Sequence, residues 1–264
     1  MTTIWAMSDL HADFPENQAW IEGLEAARYD QDALLVAGDV SHDLAVLEHA
    51  LGTLRRTFAR VFFVPGNHDL WLRKEPEEQP DSLAKLRQLD ELCRRLGVET
   101  TPARVGAVWV VPLLSWYDEA FALAAAQVAG DAEVDRSQLG LWADFRHCRW
   151  PFPQAEVASY MRRLNEPHVH AYDAAVVSFS HFLPRPELVP PQRHLRFKAL
   201  PLVSGDPALD AQVRAVGSRV HVYGHTHINR DVTLDGVRYV QSALRYPRER
   251  QGAEAHPVKV LEGA

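Results

Sequence analysis

Short apolar runs alternate with segments of helical periodicity along most of the chain. The runs are rich in Val, Leu and Ala and are typical of buried strands. We predict strands over 3–8, 33–40, 61–64, 108–114, 174–180, 220–223 and 232–241. Helices are predicted over 16–29, 44–58 and 82–96, where apolar residues recur every three or four positions. A charged turn that contains Pro76 and Pro80 precedes the third helix.

This order of strands and helices predicts a layered α/β fold. Asp235-Gly236 is a hairpin signal inside the last predicted strand segment. The segment 116–172 interrupts the alternation of strands and helices, and it contains three tryptophans and three prolines. We therefore predict a single domain over 1–264, in which 116–172 is an insertion that shapes the substrate pocket.

Polar side chains that can bind metal ions follow five of the predicted strands. In chain order, their motifs are Asp9-Leu10-His11, Gly38-Asp39, Gly66-Asn67-His68-Asp69, His181 and Gly224-His225-Thr226-His227. In open α/β sheets, ligands lie outside the carboxyl ends of the strands, so these strand ends deliver Asp, His and Asn to one rim. Each motif alone is equally explained by a turn or a helix cap. Their joint occurrence indicates a metal site.

Carboxylates, imidazoles and one amide oxygen form a mixed oxygen and nitrogen donor set. This set suits manganese, iron, zinc or cobalt better than calcium or copper(I). Seven ligands are too many for one tetrahedral ion, so two ions that share one carboxylate are the economical arrangement. Gly38, Gly66 and Gly224 each precede a ligand at a sharp strand exit. A positive φ or a close backbone approach is expected at these glycines.

The ordered series of motifs resembles the calcineurin-like metallophosphoesterase superfamily, and the resemblance spans Asp9 to His227. It implies a two-sheet β-sandwich flanked by helices, with two divalent or trivalent metal ions bound at one edge. It also implies ligand roles for seven residues: Asp9, His11 and His227 for the first ion, Asn67, His181 and His225 for the second, and Asp39 as the bridge.

By the same resemblance, His68 is the catalytic histidine and not a ligand. Two ions about 3.5–4 Å apart would polarise a bridging water into hydroxide, for attack on phosphorus in line with the leaving oxygen. His68 then stabilises the developing charge or protonates the leaving group. We expect Asp69 to orient His68, as carboxylates around metal sites often do.

The composition excludes several other classes of protein. The 264 residues are 47% hydrophobic and 24% charged, as in a globular protein that needs no disulfides. Cys93 and Cys148 form no Cys-x-x-Cys pair, which excludes a cysteine-rich zinc site and favours a reducing compartment. The net charge of −7 disfavours a nucleic-acid partner. The chain shows no signal peptide and no apolar run of roughly 18 residues, so we expect a cytoplasmic protein without membrane contact.

Residues that follow the strand ends are candidates for substrate contacts. They are His42, Trp116, Tyr117, Asp118, Arg185, Arg193, Arg196 and Arg245. The three arginines near His181 either grip a phosphate with their planar guanidinium groups or form a solvated basic loop. The aromatic pair either lines the substrate pocket or seals the core beneath the insertion.

These observations predict an enzyme that hydrolyses a small phosphorylated substrate, and we favour a compact soluble phosphomonoester. A phosphodiester of nucleotide type is the alternative. A non-enzymatic scaffold with the same fold is disfavoured because all seven ligands and His68 are present. Serine/threonine protein phosphatases of the superfamily usually show Gly-Asp-x-x-Asp-Arg-Gly and Arg-Gly-Asn-His-Glu. This chain departs from both motifs, which argues against a protein phosphatase.

Overall fold

The computed structural model describes residues 2–73, 81–250 and 255–262, and this part of the chain forms two β-sheets flanked by helices. The strands are β1 (Ile4–Met7), β2 (Ala33–Ala37), β3 (Arg60–Val64), β4 (Ala103–Val105), β5 (Val108–Pro112), β6 (Ala175–Phe179), β7 (Ser218–Tyr223), β8 (Arg230–Leu234), β9 (Val237–Gln241) and β10 (Val258–Leu261). The α-helices are α1 (Pro15–Glu22), α2 (Ala26–Tyr29), α3 (Leu44–Thr57), α4 (Ser82–Leu96), α5 (Glu119–Ala129), α6 (Asp144–His147), α7 (Val157–Asn165) and α8 (Leu209–Ala215).

Each sheet has parallel inner strands, with one antiparallel edge strand in the first sheet and two in the second. The first sheet has the order β10-β1-β2-β3, in which β10 is antiparallel to its neighbour. The second has the order β4-β5-β6-β7-β9-β8, in which β4 and β8 are antiparallel. The carboxyl ends of parallel strands point to the same edge of a sheet, and the loops that leave these ends carry the predicted ligands.

The strand β2 shows why the strands of the first sheet are continuous apolar runs in the sequence. Ala33, Leu35 and Ala37 join the core between the two sheets. The alternate residues Leu34 and Val36 pack in the core beneath the helices. Both faces of the sheet are therefore covered, so both sets of side chains must be apolar.

The structure confirms most predicted elements and corrects others. The predicted helix over 16–29 is two helices, because α1 ends at Glu22 and Gly23 caps it. The predicted hairpin is confirmed: Asp235 and Gly236 have φ values of 46° and 84°, as the turn between β8 and β9 requires. The short edge strands β4 and β10 were not predicted. The charged turn with Pro76 and Pro80 lies outside the described residues.

The start of the segment 116–172 packs into the main core. Trp116 and Tyr117 are buried, and the ring of Phe182 contacts both, with centroid distances of 5.2 and 5.4 Å. Two roles were considered for Trp116 and Tyr117, and these contacts favour sealing the core over lining the substrate pocket. Among the described residues, no helix has both the length and the apolar character that crossing a membrane requires.

We predict that Trp116→Ala lowers the free energy of unfolding by about 3–5 kcal/mol, since it leaves a cavity in a close-packed region. Chemical denaturation measures this change. The control is Leu141→Ala in the same segment, where the side chain is 67% exposed and the change should stay within about 0.5 kcal/mol. A stable Trp116→Ala variant with a raised KM would instead place this side chain in the substrate pocket.

Candidate metal centre

The backbone takes an unusual conformation at five of the seven predicted ligands. Their φ values are 52° at Asp9, 43° at His11, 57° at Asp39, 77° at His225 and 57° at His227. Residues other than glycine rarely adopt positive φ, and each such residue costs about 1–3 kcal/mol. Strain of this kind persists where the surrounding structure enforces it, and its concentration at one rim marks a functional site.

Asp69 holds two of the ligand-bearing loops together. Its carboxylate accepts backbone N–H groups from Gly66, Asp39, Val40 and Ser41 at 2.8–2.9 Å. Burial raises the pKa of Asp69 to about 6, although these four hydrogen bonds act in the opposite direction. These hydrogen bonds connect the loop after β2 to the loop after β3. The expected role of Asp69 in orienting the catalytic histidine stays a prediction.

The glycines at the strand exits allow close packing around the bridge. A Cβ atom on Gly66 would lie 2.1 Å from Oδ1 of Asp39, and one on Gly38 would lie 2.5 Å from Nδ1 of His181. A Cβ atom on Gly224 would lie 2.8 Å from a backbone oxygen. Gly38 also has a φ of 80°. Close approach and positive φ, the two expected reasons for glycine, therefore both occur.

The first ligand cluster contains Asp9, His11 and His227, whose donor atoms all lie within 4.8 Å of one another. Nε2 of His227 lies 3.0 Å from Nε2 of His11 and 3.4 Å from Oδ1 of Asp9. On the other side of the His227 ring, Nδ1 lies 2.6 Å from Oε2 of Glu249. Glu249 thereby orients His227 so that Nε2 faces the cluster.

The second ligand cluster contains Asn67, His181 and His225. Nδ1 of His181 donates to the backbone oxygen of Ala37 at 2.8 Å, so Nε2 carries the lone pair. This Nε2 lies 3.1 Å from Oδ1 of Asn67 and 3.3 Å from Nδ1 of His225. The Asn67 amide is oriented by Asp144, whose Oδ1 accepts its N–H at 2.9 Å. Oδ1 of Asn67 therefore points to the two histidines.

The donor atoms fit cations between them. Oδ1 of Asn67 is an acceptor, and it faces the Nε2 lone pair of His181 at hydrogen-bond distance with no hydrogen between them. Such a pair is repulsive unless a positive ion lies nearby. Asp39 is within reach of both clusters, because its carboxylate lies 3.5 Å from Nε2 of His181 and close to His11. This is the position that a bridging ligand needs.

The electrostatics of the site also favour positive ions. Burial, reinforced by the carboxylate of Asp9, raises the pKa of Asp39 well above its usual range. Burial lowers the pKa of His11 to about 3. Burial likewise lowers the pKa of His227, but Asp9 and Glu249 outweigh it and raise this pKa to about 9. Where buried carboxylates and imidazoles are crowded together in this way, a bound metal ion is the largest compensating charge.

Glu249 and Asp144 were not predicted from the sequence. Asp144 begins α6 inside the segment 116–172, and its carboxylate also accepts the indole N–H groups of Trp71 and Trp142 at 2.6 and 2.7 Å. Glu249 lies beyond the last strand of the second sheet. Neither residue belongs to a motif with fixed spacing, so the sequence carries no local signal for them.

A cleft of about 570 Å³ opens beside His68. Its lining includes His11, His42, His68, Trp71, Tyr246 and Arg248. The ring of His68 stacks on Trp71 with centroids 3.6 Å apart. A cavity of similar size, about 560 Å³, lies along α4, and its lining includes none of the predicted ligands. Of these two, only the cleft beside His68 is lined by a predicted ligand, His11.

The arginines considered for phosphate binding lie elsewhere. Arg185 forms an ion pair with Glu187 at 2.6 Å, and Arg193 forms one with Asp131 at 2.7 Å. Arg196 is exposed, and none of the three lines the cleft. These contacts favour the solvated basic loop over a phosphate grip.

Two sheets flanked by helices, with Asp, His and Asn side chains gathered at their strand ends, define the class of metal-dependent phosphoesterases. A family model described as calcineurin-like phosphoesterase matches residues 2–229, and the chain belongs to this family.

Two known proteins are similar to the chain over most of its length. The acyl-carrier-protein phosphodiesterase PptH of Mycobacterium tuberculosis is 30% identical over 263 residues, which cover 94% of this chain and 79% of the relative. The crystal structure of this phosphopantetheinyl hydrolase superposes with a TM-score of 0.78 at 28% identity, covering 99% of this chain and 96% of that one. The protein TT1561 of Thermus thermophilus has a TM-score of 0.53 at 13% identity, with 91% and 88% covered, and shares the fold.

We predict that Gly66→Ala displaces the Asp39 carboxylate, because the new methyl group would occupy its place. The metal content, measured by elemental analysis after reconstitution, should fall well below that of the wild type. Gly140→Ala is the matched control, since nothing lies within 4 Å of the added atom. Equal metal content in both variants would show that Asp39 is not the bridge.

A separate prediction concerns Glu249→Gln, which weakens the orientation of His227. The affinity for one of two metal ions should fall by about 10–100-fold, while the other ion binds as before. Calorimetric titration of the metal-free protein resolves the two steps. Glu156→Gln, at an exposed position, is the control. Uniform weakening of both steps would contradict the assignment of Glu249 to one ion.

Proposed function

We propose that this chain is a dinuclear phosphodiesterase that releases a phosphopantetheinyl group from an acyl carrier protein. The observation that carries the proposal is the similarity to PptH over nearly the whole chain, and the gathering of the seven predicted ligands at one rim supports it. The sequence alone favoured a phosphomonoester and kept a diester as the alternative. The likeness to a named phosphodiesterase now favours the diester.

The cleft beside His68 supports a substrate of this kind. One side of the cleft meets the metal site through His11, and the other is open to solvent. A phosphate at the rim can therefore reach the ligands while its two organic groups extend outward. Aromatic side chains of Trp71 and Tyr246 form the walls, and such surfaces accommodate an uncharged organic arm.

The residues of the chain suggest the following division of roles. Seven side chains would hold two ions of Mn, Fe, Zn or Co, with Asp39 as the residue shared by both. When bound, the two ions supply an activated water and neutralise phosphate charge. His68 lies at the cleft side of this centre, where its imidazole can serve the leaving oxygen. Stacking on Trp71 fixes the plane of its ring, and its backbone N–H donates to Oδ1 of Asp39 at 2.9 Å.

The test uses the metal-reconstituted protein and an acyl carrier protein that bears phosphopantetheine. Mass spectrometry should show loss of the phosphopantetheinyl group from the carrier and its appearance as a free product. Asp39→Asn should abolish the conversion, since one oxygen atom must serve two ions. A set of phosphomonoesters is assayed in parallel.

Two outcomes contradict the proposal. Rapid hydrolysis of phosphomonoesters without conversion of the carrier protein would support the phosphomonoesterase activity that the sequence alone favoured. Conversion by Asp39→Asn at the wild-type rate would show that the reaction does not need a metal centre bridged by Asp39.

A further inference from the structure

Tyr246 lies at the edge of the candidate metal site, where its ring forms part of the cleft wall. Its ring stacks on that of His11, with centroids 4.2 Å apart and planes at 27°. Its hydroxyl oxygen lies 3.4 Å from Nε2 of His68. Tyr246 thus presents a polar hydrogen beside the nitrogen through which His68 faces the cleft.

The position of Tyr246 is fixed by the backbone on its N-terminal side. The N–H of Leu244 donates to the oxygen of Ser8 at 2.9 Å, and the N–H of Arg245 donates to the oxygen of Asp9 at 3.1 Å. Arg245 has a φ of 71°, and the Asn17 side chain donates to its carbonyl at 2.9 Å. Arg245, held by two of these hydrogen bonds at a positive φ, therefore directs the tyrosine towards the predicted ligands.

The C-terminal side of Tyr246 is fixed by Glu249. The carboxylate that accepts the His227 imidazole N–H also accepts the backbone N–H of Tyr246, at 3.3 Å. One carboxylate therefore sets both a metal ligand and the tyrosine. A tyrosine hydroxyl is protonated at neutral pH, so this group can donate a hydrogen bond.

We propose that the Tyr246 hydroxyl is a catalytic group, which donates a hydrogen bond to the leaving oxygen of the phosphodiester beside His68. This inference rests on the proposed phosphodiesterase function. Water adds its oxygen to phosphorus, and the bond from phosphorus to the leaving oxygen breaks. That oxygen takes a proton from Nε2 of His68, and the proton lost by the attacking water replaces it. Tyr246 keeps its own proton and stabilises the negative charge that develops before the transfer.

The experiment compares Tyr246→Phe with the wild type on methyl aryl phosphodiesters whose phenols differ in acidity. The variant keeps the stacked ring and loses only the hydroxyl. We expect kcat to fall about 10²-fold for the least acidic phenol, the usual cost of a lost transition-state donor. The fall should be much smaller for p-nitrophenol, whose oxygen needs little stabilisation. KM and metal content should stay near the wild-type values.

Tyr172→Phe is the matched control. Its hydroxyl donates to the backbone oxygen of His168 at 2.9 Å and does not line the cleft. This variant should hydrolyse every ester in the series at the wild-type rate. A second measurement is the double variant His68→Ala with Tyr246→Phe. If both groups act on the same oxygen, its loss of kcat is smaller than the product of the two single losses.

Several results would overturn the inference. An equal fall of kcat for all phenols, or a rise of KM alone, would show that Tyr246 only contacts the substrate. Loss of metal in Tyr246→Phe would show that it acts through His11. If the loss of kcat in the double variant equals the product of the two single losses, Tyr246 and His68 do not act on the same oxygen. Small esters are used throughout, so failure of the carrier-protein reaction is detected independently.

Discussion

Four backbone N–H groups converge on the carboxylate of Asp69, and the geometry of the metal site follows from this contact. The donors belong to the loops after β2 and β3, so the bond network fixes Asp39 relative to Asn67. Each buried donor left without an acceptor would cost about 1–3 kcal/mol, which makes the arrangement hard to replace. With the loops so close, Gly66 has no room for a side chain and His68 can donate its N–H to Asp39.

The sequence predicted those parts of the structure that leave a local pattern. Helices α3 and α4 and the inner strands of both sheets follow from apolar periodicity, and the gathering of the predicted ligands at one rim follows from motifs at strand ends. Edge strands such as β4 are too short and too exposed for a pattern to show. The helix over 16–29 breaks because Gly23 ends it, although the apolar positions continue. Asp144 and Glu249 act on ligands that are distant in sequence, so no local signal marks them.

The rim contains the predicted ligands and a second group of residues that orient them. The predicted ligands lie at the carboxyl ends of the strands, so the fold itself places them. Their orientation comes from outside: Asp144 in the segment 116–172 sets the amide of Asn67, and Glu249 beyond β9 sets His227. The segment 116–172 thus contributes to the metal site through a carboxylate and through Trp142, whose ring lies 5.6 Å from that of His225. Its expected influence on the substrate pocket stays a prediction.

The positive φ values at five ligands also affect how the protein responds to its surroundings. Without bound ions, this strain and the crowded carboxylates count against the folded state. A metal ion that binds the folded chain alone adds RT ln(1 + [metal]/Kd) to the free energy of unfolding. With ions bound by the predicted ligands, the lifetime of the folded protein would depend on the free metal concentration of its compartment. Metal starvation would then reduce the amount of enzyme through degradation of unfolded chains, in addition to reducing the activity of each molecule.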